Sequence, residues 1–340
     1  ILTLNSGASI GPSGTGNVDV IAPISGNQKV IYKGTTAISF GNIFDTNFEV
    51  IYDGVTVTST TTKSFGTITT INGANVTFSS TINVTNLSIA SNTSVIFSSL
   101  PILTNTIVNG TLVAPTNNSS FITIPSGGSL TVNGIIKIPR LSGFVSSNLV
   151  TANTTTTGSN IQFLGTENLT LGINSTVEYV RDATGPQIVS PRLDYKNLKL
   201  SGTVPKTING PIAVAGILTV NQSAPATAIT LNGDLLVNGS LSFVLGKITT
   251  GSNTLTIGTS GTILGAGQAT GWVVGNLKKL TASGDFPSFT YDFGDATNYR
   301  PLTLTFTGNT SAAGGLTARI NTLDHPQIGS SGLNSTKSVN

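Results

Sequence analysis

Short stretches of alternating apolar and polar residues dominate this chain, and the phrase that punctuates them is Asn-Gly. It opens Asn109-Gly110-Thr111-Leu112-Val113, Asn133-Gly134-Ile135-Ile136-Lys137-Ile138 and Asn209-Gly210-Pro211-Ile212-Ala213-Val214. It returns in Asn232-Gly233-Asp234-Leu235-Leu236-Val237 and in Asn238-Gly239-Ser240-Leu241-Ser242-Phe243. Alternation at a period of two sends one strand face into a core, and Asn-Gly favours the positive backbone angles of a tight turn. The spacings from 109 to 133 and from 209 to 232 suit one coil of a β-solenoid, so the pattern predicts stacked repeats.

The rhythm is least regular over residues 1–65, read as an N-terminal β segment or cap. Strand candidates there are Val18–Ile21, Lys29–Tyr32 and Phe48–Tyr52, with the acids Asp19, Asp45, Glu49 and Asp53 nearby. From about 66 the strands come every few residues, from Thr67-Ile68-Thr69 through Ile135–Ile138, as solenoid coils of about three short strands require. Residues 141–160 break the cadence and are expected to loop out of a coil. It resumes at Ile161–Leu164 and runs to Thr262-Ile263-Leu264. The expectation is therefore a parallel β-helix over 66–267, right-handed by the parallel-crossover rule. Trp272, Phe286, Phe289, Tyr291, Phe293 and Tyr299 are too bulky for regular coils. They mark a small C-terminal β module over 268–340 that covers the strand edge and continues into a longer chain.

Composition agrees with an ordered all-β chain. Among 340 residues, 39 are Gly, while Lys and Arg number 16 and Asp and Glu 13. Val, Ile and Thr are the residues that fit pleated, half-buried strands. Cys and Met are absent, so disulfides, thiolate zinc sites and thiol catalysis are excluded. A chain without Met at position 1 is expected to follow a processed signal peptide or to lie within a longer protein. No run of about 18 apolar residues is present to span a bilayer as a helix. Six Tyr and one Trp are too few for the aromatic girdles of a membrane barrel. A net charge of +3, with Lys278-Lys279 the only adjacent basic pair, lacks the basic face of a nucleic-acid binder.

Several phrases carry a family resemblance in their order. Thr176-Val177-Glu178-Tyr179, Tyr195-Lys196-Asn197-Leu198-Lys199-Leu200-Ser201-Gly202 and Lys206-Thr207-Ile208-Asn209-Gly210 lead into Val214-Ala215-Gly216-Ile217-Leu218-Thr219-Val220. Gly251-Ser252-Asn253-Thr254-Leu255-Thr256-Ile257-Gly258 and Gly271-Trp272-Val273-Val274-Gly275-Asn276-Leu277-Lys278-Lys279 follow. Phe293-Gly294-Asp295, Tyr299-Arg300-Pro301-Leu302 and Asp324-His325-Pro326 end the series. Together they resemble the β-solenoid repeat region of large secreted and cell-surface proteins of Bacteroidetes. The likeness covers 160–340 in detail and 66–140 by pattern. It implies an adhesin-like protein exported as cargo of the type IX secretion machinery, without the C-terminal sorting domain of that pathway in view.

Candidate chemistry is sparse. The lone His325 lacks the nucleophile and elbow that a hydrolytic His needs. A solenoid lyase or hydrolase needs clustered carboxylates with a nearby base. Glu178, Arg181, Asp182, Arg192, Asp194 and Lys196 form the best local concentration, read as paired charges on a solvated face. Asp285, Asp292 and Asp295 offer oxygen ligands to calcium, but their spacing fits no EF-hand loop, and Phe293-Gly294-Asp295 reads as a turn. Trp272 or Tyr299 would stack on sugars if exposed. The Thr run 56–62 raises an ice-binding lattice, though Thr positions drift between coils. No residue is therefore assigned a catalytic, cofactor-binding or metal-ligating role, and no cofactor is expected. The chain is read as a non-enzymatic structural or adhesive segment, secreted or at the cell surface, whose partners are export machinery, glycans or copies of itself. A carbohydrate-active β-helix enzyme and a glycan-binding module are the alternatives.

Overall fold

A computed structural model describes residues 2–4, 28–33, 48–59, 63–117, 119–146, 159–224, 228–284, 288–306 and 312–320. Every described element is a β-strand, and no helix among these residues is long and apolar enough to cross a membrane. The architecture is a parallel β-solenoid of about 11 turns, divided into two compact units. The first holds residues 1–190 with 196–198, the second 191–195 with 199–340.

In the first unit each coil presents three faces. One face stacks Thr56–Ser59, Asn75–Phe78, Ser94–Phe97, Thr111–Val113, Ile135–Ile138 and Thr176–Arg181 in parallel register. The register aligns Val57, Val76, Val95, Leu112, Ile136 and Val177 into one inward column, and all six are buried. Each such side chain contributes about 1.5–3 kcal/mol by leaving water. The other two faces come from single long strands, Lys63–Ile71, Ile82–Ile89 and Ile102–Val108, which pair along both halves of their length. After Val108 the two faces become separate strands. Ile122–Ile124 continues the first, and Ser129–Val132 the second.

Parallel stacking crosses both sequence-derived boundaries. Gln28–Tyr32 and Phe48–Asp53 already pair in register, and Phe48–Asp53 pairs onward with Lys63–Ile71. Strand candidate Val18–Ile21, with Asp19 and Asp45, lies outside the described residues. The stretch expected to loop out behaves otherwise over its described part. Ser142–Ser146 is a strand that pairs parallel with Ser159–Phe163, which in turn pairs with Ile122–Ile124. A strand later in the chain thus sits between two earlier ones.

The second unit repeats the three-faced coil. Ile217–Gln222, Ser240–Leu245 and Thr262–Leu264 stack on one face. Ile212–Val214, Leu235–Val237, the second half of Lys247–Ile257 and the end of Val273–Thr281 stack on another. Val273–Thr281 is therefore still a coil strand, pairing parallel with Lys247–Ile257. Gly314–Ala318 then pairs antiparallel with it, and Phe289–Tyr291 forms an antiparallel pair with Leu302–Leu304. Val273 and Val274 pair parallel with Phe293 and Gly294, while the antiparallel strand takes the edge of residues 277–281 that a further coil would occupy.

The Asn-Gly phrases mark the coils for a reason other than turn angle. Neither Asn nor Gly has a positive φ in any of the five phrases; among the described non-Gly residues only Asn72 and Asn92 do. A Cβ on Gly134 would collide with the backbone carbonyls of Asn109 and Gly110 one coil earlier. The missing side chain lets successive coils approach at that corner. Asn133 Nδ2 meanwhile donates to Asn109 Oδ1 at 2.9 Å, and Asn232 Nδ2 to Asn209 Oδ1 at 3.0 Å. The turn conformation belongs to Asn72-Gly73, with φ of 54° and 81°.

Candidate functional site

Many outward positions of the first unit are neutral Asn and Ser side chains paired with one another along the stack. Ser94 Oγ donates to Asn75 Oδ1 at 2.6 Å, Asn105 Nδ2 to Asn86 Oδ1 at 3.3 Å, and Ser129 Oγ to Asn105 Oδ1 at 3.3 Å. The partners lie 19 to 24 residues apart, one coil in each case. Such ladders form because parallel register places like residues side by side, and each amide offers both a donor and an acceptor. Charges join where register allows. Lys29 meets Glu49 at 3.0 Å as its register partner, and Asp53 accepts from Lys33 at 2.9 Å and from Asn72 at 2.7 Å. These two hydrogen bonds hold the Asp53 carboxyl below its usual range. A shallow groove of about 190 Å³ runs beside this face, lined by Ser64, Phe65, Asn83, Val84, Thr85, Ile102 and Thr104. None of its lining residues ionises, so it supplies no acid or base to a substrate.

The charge cluster named from sequence divides. Glu178, Arg181, Asp182 and Lys196 belong to the first unit, Arg192 and Asp194 to the second. Arg192 grips Asp194 through two hydrogen bonds of 2.8 and 2.9 Å. Glu178 is the register partner of Lys137 and lies 3.7 Å from it. The solvated-face reading fails for Glu178 and Arg181, which are both buried. Arg181 shares the inward parity of Val177 and Tyr179, and that alternation was the available signal.

The acids of the C-terminal module do different work. Asp295 Oδ1 accepts from the backbone N–H of Thr297 (2.8 Å) and Asn298 (2.7 Å), while Oδ2 accepts from Arg300 Nε at 3.0 Å. This is a turn closed by its own carboxylate, as the Phe293-Gly294-Asp295 phrase suggested. Asp292 is buried and accepts from the Tyr299 hydroxyl. Asp285 and His325 lie outside the described residues. Trp272 is only 1 % exposed; its Nε1 donates to the Asp295 carbonyl at 2.9 Å, and Lys247 Nζ sits 4.0 Å from its ring centre. Half-buried Tyr299 packs beside it, with ring centres 6.1 Å apart. The sugar-stacking reading is thereby overturned for Trp272, whose ring is packing of the module. The Thr lattice also ends early. Thr58 aligns with Thr77, which aligns with Ile96; Thr60–Thr62 lie outside the described residues.

Two interior features escaped the sequence reading. In the first unit, Arg140 Nη1 donates to the carbonyls of Ser120 (2.5 Å) and Ser159 (2.7 Å), and its backbone N–H donates to Asn160 Oδ1. In the second, Lys279 continues the inward column of Val214, Val237 and Ile257. Its Nζ donates to the carbonyls of Gly258 (2.6 Å), Thr259 (2.8 Å) and Gly261 (2.8 Å), tying down a turn. Burial lowers its pKa. The only sequence signal for either was parity with apolar neighbours. No protein-family model matches the chain, and neither does any curated protein or solved structure.

Proposed function

We propose that this chain is a structural or adhesive segment of a secreted bacterial cell-surface protein, without catalytic activity of its own. One observation carries the reading. Outward Asn and Ser side chains of the first unit spend hydrogen bonds on the neighbouring coil, and its outward charges pair along the stack, which stiffens it instead of presenting convergent acid and base groups. A β-solenoid is consistent with structural, adhesive and carbohydrate-related roles. The resemblance of the 176–220 and 251–302 phrases to Bacteroidetes solenoid proteins supports type IX export and cell-surface location. Surface glycans or further copies of the chain are then its partners, through broad and weak contacts.

The test joins location to activity. Antibody labelling and protease shaving of intact source cells are expected to find the segment outside the cell; recovery from the cytoplasm alone overturns the export reading. A polysaccharide array with mass spectrometry of released products is expected to show retention or silence. Release of oligosaccharides from any glycan overturns the non-enzymatic reading and directs attention to the carbohydrate-active alternative.

A further inference from the structure

Asparagine followed by glycine is labile in water, because the glycine amide nitrogen, unshielded by a side chain, attacks the asparagine side-chain carbonyl. Six such pairs occur in the sequence, beginning at Asn72, Asn109, Asn133, Asn209, Asn232 and Asn238. Ring closure requires the glycine nitrogen to swing onto Cγ of the preceding residue, so the surroundings of each pair decide its reactivity. Five pairs lie at packed corners. A Cβ built on Gly110, Gly134, Gly233 or Gly239 falls 2.2–2.3 Å from the backbone of the coil before, and one on Gly210 falls 2.9 Å from the Pro191 side chain. The Gly110 and Gly134 amides also donate to the Ile89 (3.1 Å) and Val108 (2.8 Å) carbonyls. The Asn133 and Asn232 side chains are held in the ladder described above. Asn72-Gly73 stands in the open. Both residues are exposed, nothing lies within 4 Å of a Cβ built on Gly73, and no hydrogen bond holds the Gly73 N–H among the described residues. The pair sits in a turn closed by the Ala74 N–H on the Ile71 carbonyl at 3.1 Å. Asn72 Nδ2 donates to Asp53 Oδ1 at 2.7 Å, an exposed bond that water replaces at little cost.

We propose that Asn72 is a site of spontaneous deamidation in the folded chain, converted to aspartate and isoaspartate while the five packed pairs persist. The Gly73 amide nitrogen gives its proton to hydroxide or another solvent base and forms a bond to Asn72 Cγ. The Cγ–Nδ2 bond breaks, and the leaving nitrogen takes a proton from water to depart as ammonia. Water then opens the five-membered succinimide at either carbonyl. The net change is one water consumed and one ammonia released, with nothing oxidised or reduced. The product carboxylate stands where Asn72 donated to Asp53, so a like charge replaces a hydrogen bond. The isoaspartate form also adds a methylene to the main chain of this turn, whose Ile71 carbonyl receives the Gly54 N–H at 3.1 Å. Deamidation therefore loosens the contact between the paired strands Phe48–Asp53 and Lys63–Ile71.

Peptide mapping of the whole chain, aged in its folded state at mildly alkaline pH, tests this by separating the asparagine, aspartate and isoaspartate forms of each pair. Asn72 is expected to convert at least about tenfold faster than any of the other five. Aged in urea, with the stack unfolded, the same chain is expected to lose that advantage. Gly73→Asn, which the open turn accommodates, is expected to slow conversion at Asn72 about tenfold and to leave the other five unchanged. Equal rates across the folded chain, or conversion led by a packed pair, overturn the proposal. So does an Asn72 advantage that survives unfolding, or an Asn72 rate that G73N leaves unchanged.

Discussion

Gly134 and Gly73 are both glycines after asparagine, yet their surroundings demand different things. Nothing lies within 4 Å of a Cβ built on Gly73, whose φ is 81°, whereas a Cβ on Gly134 meets the previous coil's backbone. Asn tolerates the left-handed region, so Gly73→Asn is expected to cost under about 1 kcal/mol. Gly134→Asn is expected to cost about 2–3 kcal/mol, because overpacking has no flexible neighbour to displace. Urea unfolding of the two variants decides it, and equal costs would refute the steric account. The sequence made the position legible without its cause, since φ and coil spacing are both set by the stack. The acids of the C-terminal module give a second residue-scale contrast. Asp295 is held well below the ordinary 3.8, first by the Thr297 backbone N–H, then by that of Asn298 and by Arg300. Its stabilisation is therefore full above 3.8 and drains away as pH falls through the lowered value. Burial raises Asp292, with partial offset from the Tyr299 hydroxyl. Its contribution is full below 3.8 and is lost as pH rises through the raised value. On acidification Asp295→Asn should flatten the loss of stability and Asp292→Asn should steepen it. Thermal melts across acidic pH read both slopes, and parallel curves for wild type and D295N would refute the assignment.

Strands in this molecule are stabilised mainly by inward columns and only secondarily by outward ladders. Ile136 stands in the column of Leu112 and Val177 with no solvent exposure, whereas Asn133 makes its ladder bond at the exposed corner. Ile136→Ala is expected to cost about 3–4 kcal/mol, from lost transfer energy and the cavity left behind. Asn133→Ala is expected to cost about 0.5–1 kcal/mol, the net value of one exposed hydrogen bond. Denaturant titration separates them; a ladder variant as damaging as the core variant would invert the ranking. Lys279 is the exception within a column, an ammonium among aliphatic side chains that satisfies three carbonyls of one turn. Lys279→Met keeps the length and apolar stem but strands those acceptors, so a loss of about 3 kcal/mol is expected. Hydrogen exchange of the Gly258–Gly261 amide Gly261 N–H, which donates to Gly258, should quicken in that variant if the turn depends on the clamp.

Stacked coils touch mainly their neighbours, so stability within each unit is closer to a sum of coil terms than to one global core. Trp272, the single Trp of the chain, belongs to the second unit. Its fluorescence and the far-UV circular dichroism of the whole chain are therefore expected to give different unfolding midpoints in urea. Coincident transitions would mean that the two units unfold as one. At this scale the sequence by itself determined the fold class. Period-two alternation chose the strand, a constraint that acts within one coil, and regular recurrence of Asn-Gly chose the stack, a constraint between adjacent coils. Only tertiary structure decided which coils are neighbours. Ser159–Phe163 enters between Ile122–Ile124 and Ser142–Ser146, an order that chain sequence does not encode locally. It also decided the fate of the unusual side chains. Trp272 turned inward as packing, while Arg181 and Lys279 took places in apolar columns. Parity fixes the face a residue occupies, but the partners waiting there come from coils tens of residues away.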